Sequence, residues 1–187
     1  MRNPLFLMIA LFISFSSFSQ SPEEMKAWES YMTPGEEHKW LASMNGQWTA
    51  TVKQWMDPSK PPIESKATTE NRMLMNGLYQ ESSHRGNMMN MAFEGRSITG
   101  FDNSKKMFVS TWIDNFGSGI MVMEGIFVEP YRVLVLEGTM VDPTTGKDLK
   151  VKEVMTFVSK NSYKFEMYMD MGGAQIKTME INYTREK

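Results

Sequence analysis

From Gln47 onward the apolar positions recur at every second residue. In Gln47–Met56, Trp48, Ala50 and Val52 fall on one side, with Thr49, Thr51 and Lys53 on the other. That is the period of a strand with one face buried. Comparable runs follow at Ser65–Leu74, Gly77–Ser83, Glu94–Phe101, Met107–Ile113, Ile120–Val128, Arg132–Met140, Leu149–Val158, Tyr163–Met169 and Gln175–Thr184. Turn residues separate them: Asp57–Pro62 with adjacent prolines, Asn76-Gly77, Asp102–Lys106, Glu129-Pro130, Asp142–Lys147 and Gly172-Gly173. Asp and Asn bond their own backbone two residues on, and neighbouring prolines are barred from a central strand. Gly86–Asn90 reads as a loop leading into the central hairpin of Glu94–Phe101 and Met107–Ile113. The pattern predicts about ten strands with connections too short for parallel crossovers.

Before Gln47 the period changes. Ser21-Pro22-Glu23-Glu24 has a capping serine, proline at the first helical position and an acid three residues after the cap, a helix start. Thr33-Pro34-Gly35-Glu36 repeats the signal ahead of Glu37–Met44. Two short helices carrying Met25, Trp28, Met32, Trp40, Leu41 and Met44 are expected. They cannot bury these side chains on themselves, so they are expected to lie as a lid across one end of a sheet structure.

These elements together predict a mainly β chain: a single antiparallel barrel of about ten strands with short N-terminal helices. A helical segment running into Gly46-Gln47-Trp48 at the first strand resembles the opening of lipocalins and other calycins. A closed barrel of this size has room for side chains and one small ligand.

The blocks EHKWL (Glu37–Leu41), NRM (Asn71–Met73), Gly100–Asn103, FVSTWID (Phe108–Asp114), GIMVMEG (Gly119–Gly125), DPTTGK (Asp142–Lys147), FEMYM (Phe165–Met169) and MEINYTR (Met179–Arg185), taken in this order, carry a resemblance across the chain. It resembles a bacterial family of unknown function, the domain-of-unknown-function family 1579. The resemblance implies a calycin-type barrel and brings no reaction, cofactor or catalytic residues. Phe101 stands where that family usually has Tyr.

Composition narrows the function classes. Arg2, the apolar run Leu5–Phe15 and the small residues Ser17 and Ser19 read as a signal peptide over residues 1–19. The barrel domain is then expected over residues 20–187, periplasmic or secreted. No Cys is present, which excludes disulfides and thiolate metal sites. The net charge of −2 points away from nucleic acid. Outside the signal no segment is long and apolar enough for an integral membrane helix.

Methionine is the outlier, with 20 residues. Met121 and Met123 share one strand face, and Met167, Met169 and Met171 share another. Met88, Met89 and Met91 cluster beside His84. Thioethers suit Cu(I), but Met is also a pliable apolar filler for cavities and adaptable pockets. Polar residues within the strand runs include Glu70, Arg72, Glu94, Arg96, Asp114, Glu124, Glu137, Glu153 and Glu166. Arg96 is expected to face the lumen and pair with a ligand carboxylate while Trp112 packs the apolar body.

The chain therefore reads as a binder of a small apolar or amphipathic ligand, lined by Trp48, Arg96, Trp112, Met121, Met123, Met167 and Met169. An enzyme using barrel carboxylates and a Met-rich copper protein are the rival readings. The imidazoles are His38 and His84, there is no G-x-S-x-G elbow, and no catalytic residue, cofactor or metal ligand is assigned.

Overall fold

The computed structural model describes residues 21–187; the expected signal segment lies outside the described residues. Two helices, α1 (Pro22–Met32) and α2 (Glu36–Ser43), precede ten strands. These are β1 (Gly46–Gln54), β2 (Ile63–Leu74), β3 (Tyr79–Met88), β4 (Met91–Asp102), β5 (Met107–Asp114), β6 (Met121–Glu129), β7 (Val133–Val141), β8 (Asp148–Ser159), β9 (Ser162–Met171) and β10 (Ala174–Arg185). Each strand pairs antiparallel with its successor, and β1 pairs with β10, so the sheet closes into a lipocalin-like barrel without a free edge. Closure satisfies every ladder and removes the aggregation hazard of an edge strand.

Local chemistry sets the turns. Asp102 Oδ1 accepts the backbone N–H groups of Ser104 (2.8 Å) and Lys105 (2.9 Å), reversing the chain between β4 and β5. Asp142 does the same for Thr144 before β8. Where a loop was expected at Gly86–Asn90, β3 runs on to Met88 and the reversal is at Met89 and Asn90, both with positive φ. Gly86 permits this: a Cβ there would meet Ala67 Cβ and the Lys66 carbonyl at 3.0 Å, so only glycine lets β2 and β3 approach so closely.

The two helices divide the work expected of both. In α2, His38, Trp40 and Leu41 are buried, and the helix plugs one end of the barrel. In α1 no residue is buried, and Met25, Trp28 and Met32 are more than half exposed. That corrects the expectation of a two-helix lid. A capping box at Ser21 starts α1. Asn103 Nδ2 donates to the carbonyls of Ser30, Tyr31 and Thr33 at its end. Polar capping, not apolar burial, tethers this helix to the barrel.

Candidate functional site: the barrel lumen

Inward-facing residues follow the strand alternation, and their burial splits the lumen in two. At the α2 end the core is dry and tightly packed. Trp48 is 0 % exposed, and Trp40, Leu41, Met44, Phe108, Met123, Leu134, Tyr163 and Tyr183 are buried around it. The Trp40 ring meets Phe127 edge-on at 4.9 Å and Phe108 at 5.8 Å. Each such pair contributes about 0.5–1.5 kcal/mol beyond area burial.

Buried side chains satisfy the backbone at this end. Trp48 Nε1 and Asn71 Nδ2 both donate to the Met44 carbonyl, and Gln80 Nε2 donates to that of Leu41. Arg185 lies over the Trp48 ring at 4.1 Å and donates to the carbonyls of Ser43 and Asn45. His38 Nδ1 accepts the Gly35 N–H at 2.9 Å, capping α2. Burial lowers its pKa, which keeps that nitrogen free to accept.

Away from α2 most inward side chains remain partly exposed, among them His84, Phe93, Ser97, Trp112, Met121, Met140, Glu153, Met155, Phe165, Met167, Met169 and Ile181, while Val151 and Thr178 are buried among them. The partly exposed side chains face the axis, and their residual exposure marks this half of the lumen as less tightly packed than the α2 end. The wall is apolar, rich in thioethers and aromatic rings. Trp112 lies flat on it, because Gly95 opposite has no side chain; a Cβ there would come within 2.6 Å of the indole. The indole N–H donates to Asp114 Oδ2 at 2.8 Å, and His84 lies 5.2 Å from the ring.

A few polar groups interrupt this wall. His84 Nδ1 shares a 2.8 Å hydrogen bond with Thr69 Oγ1. Burial lowers the His84 pKa to about 4, so the ring is neutral near pH 7. Tyr163 and Tyr183 stack at 4.2 Å. Burial raises both phenols, and Tyr163 and Glu153 push Tyr183 the same way. Asn71 Oδ1 has no hydrogen-bond partner among the described residues. Glu153 sits between Leu136 on β7 and Met167 on β9. Burial alone raises its pKa to about 7.

The expected lining residues divide accordingly. Trp112, Met121, Met167 and Met169 face the open lumen. Trp48 and Met123 face inward but are packed into the closed end, out of a ligand's reach. Arg96 is a correction: it lies on the outer face, 49 % exposed, 3.6 Å from Glu81 and 3.5 Å from Glu94. Its neighbour Glu94 shares that face as the sequence implies, but the face is the solvent side. The inner side of β4 instead carries Phe93, whose ring stacks against Trp112 at 6.3 Å, and the small Gly95, Ser97 and Thr99, of which Gly95 makes room for the indole.

Arg96 borders a polar outer groove of about 260 Å³ with Arg72, Arg85 and Glu81. Arg72 and Arg96 are already paired there, leaving little to recruit a ligand. The Met88, Met89 and Met91 cluster sits at the β3–β4 hairpin tip, whereas His84 points into the lumen bonded to Thr69.

Glu153 carries polarity into the lumen; the sequence marked it only as one of nine polar strand residues, without a facing. The signal was present for Glu153, which falls on the parity of Val151, Met155 and Phe157. No local signal marks His84, since its inward neighbours Gln80 and Ser82 are polar too.

A family described as "Protein of unknown function (DUF1579)" matches residues 33–185, and the chain belongs to it. No curated protein matches the chain. Among solved structures, it is similar to Rv2717c from M. tuberculosis, at 11% identity and a TM-score of 0.61, covering 83% of this chain and 100% of that one. It is also similar to the S-type phycobiliprotein lyase CPES from Guillardia theta, at 12% identity and a TM-score of 0.58, covering 85% and 97%. At these identities the likeness is one of fold.

Proposed function

We propose that this member of the family binds a small, largely apolar or amphipathic molecule in the open half of its barrel, outside the cytoplasm. The observation that carries the reading is the split in burial. Trp48 is 0 % and Phe108 0 % exposed at the α2 end, whereas Trp112, Met121, Met167 and Met169 keep open surface toward the axis. A solid core would have buried both halves alike, since protein interiors pack to near-crystalline density.

A cup with a dry floor, apolar walls and a few polar groups is the usual form of a small-molecule site. Flexible thioethers let such walls adapt to a ligand's shape. The phycobiliprotein lyase named above shares the fold, which is compatible with a barrel of this kind handling a small molecule. The location rests on the signal pattern of Met1–Ser19.

The test is saturation binding of an uncharged fluorescent apolar probe such as N-phenyl-1-naphthylamine, competed by unlabelled amphiphiles. One-to-one saturable binding, lost in Met167→Trp, which fills the lumen, is the expected result. Failure to saturate, or equal binding by the variant, would overturn the lumen as the site. Mass spectrometry of exported protein should find a chain starting near Gln20; an intact start in the cytosol would overturn the location.

A further inference from the structure

We propose, resting on the lumen as the binding site, that the ligand's polar end is an amine and that Glu153 receives it. The argument begins with the charges that face inward. Among the described strand residues, Lys53, Lys66, Arg72, Arg85, Arg96, Lys150, Lys152, Lys164 and Lys177 all take the outward parity of their strands. The remaining strand cation, Arg185, is held at the closed end by Trp48 and backbone carbonyls. The open lumen thus offers no cation to a carboxylate ligand.

It offers a carboxylate instead. Glu153 is central to β8, flanked by Leu136 and Met167, and among the described residues it makes no ion pair or side-chain hydrogen bond. A carboxyl drawn part-way out of bulk water without a protein partner is costly, and one facing the barrel axis is a vacancy for a donor. An ammonium supplies both a charge and three N–H donors. An anionic head would meet Glu153 with no inward cation among the described strand residues to neutralise it.

The surrounding groups do not compete for the role. From β3, His84 is neutral near pH 7 and already bonded to Thr69. From β9 and β10, Tyr163 and Tyr183 hold their protons well above neutrality. From β5, Asp114 is engaged by the Trp112 indole N–H and the Phe116 backbone N–H. Its neighbours on β7 and β6, Leu136, Met121 and Met123, do not titrate. Glu153 is therefore the lumen group that changes charge near neutral pH, with a pKa of about 7.

The experiment compares decylamine, decanol and decanoate as competitors of the fluorescent probe, on the parent, Glu153→Gln and Asp114→Asn. On the parent at about pH 8, decylamine should bind at least roughly tenfold tighter than decanoate, with decanol between, because charge-assisted bonds are the stronger ones. An alkylamine stays protonated up to about pH 10, so its binding should strengthen from about pH 5 to about pH 8 as Glu153 ionises. Glu153→Gln should abolish both the preference and the pH dependence, and Asp114→Asn should keep them.

Decanoate binding as tightly as decylamine, or a preference that survives Glu153→Gln, would overturn the assignment. So would a preference lost in Asp114→Asn with the fold intact by thermal melting. Probe binding with no competition by any of the three also overturns it, while leaving the lumen as a site. No saturable binding of the probe itself overturns the lumen reading and this inference together.

Discussion

The two halves of the lumen are built from the same alternating strands, yet they solve opposite problems. At the α2 end the buried donors find backbone partners, with Trp48 and Asn71 Nδ2 on Met44, Gln80 on Leu41 and Arg185 on Ser43 and Asn45, and Asn71 Oδ1 is the one buried side-chain atom among the described residues left without one. In the open half Glu153 has none among the described residues, and the walls are thioethers and rings that keep exposed surface. Satisfied buried polar groups rigidify a structure, and unsatisfied ones mark a strain reservoir or a function. The difference separates the part of the molecule that holds the fold from the part that has room for a ligand.

The comparison breaks most visibly at the floor. Trp48→Ala should destabilise the protein by about 3–5 kcal/mol in chemical denaturation, since a fully packed indole leaves a cavity and strands Arg185 without its aromatic partner. A loss below about 1 kcal/mol would mean the floor is not the packed unit described.

Glu153→Gln should act in the other direction. As pH rises, the unfolded chain releases this proton near its ordinary 4.5 and the folded chain only near 7. The folded state therefore loses stability across that window, by roughly 3 kcal/mol at most above it, less where water reaches the lumen. The variant should melt higher than the parent at about pH 8 and equally near pH 4. His84→Gln tests the opposite slope. With the folded value lowered to about 4, the parent loses stability as pH falls below about 6.5, and the variant should lose less.

Gln80→Leu sharpens the claim about satisfied carbonyls. It keeps most of the bulk but leaves the Leu41 carbonyl without its Gln80 donor, and should cost about 1–3 kcal/mol. The smallest effect belongs to the outer face. Arg96→Met removes two exposed ion pairs and should shift stability by no more than about 1 kcal/mol. It should leave probe binding unchanged; weakened binding would place the arginine nearer the ligand than its outward position allows.

Arg96 also shows where reading the chain alone stops. Strand existence and turns were legible because they depend on neighbours a few residues apart: alternation in Gln47–Met56, Asx chemistry at Asp102 and Asp142, the capping box at Ser21. The family likeness and the antiparallel barrel followed from such local units in order, and the helix running into Gly46-Gln47-Trp48 marked the start of the first strand, though Trp48 was expected among the residues lining the ligand space and is instead packed into its floor. Which side of β4 faces inward was not local. The strand carries Ile98 beside Arg96 on one side and Gly95, Ser97 and Thr99 on the other, so its apolar content points the wrong way. Closure of the sheet decides the matter: β4 must seat the Trp112 ring from β5 over Gly95, which puts the small residues inside and the arginine out.

The same holds for Glu153, an ordinary acid in a strand until β7, β9 and β10 surround it. Alternation, turn and cap are encoded within a few residues, because their energies come from adjacent backbone and side-chain groups. Facing, burial and the charge state of a carboxyl arise from residues far apart in the chain, and only the closed barrel brings those together.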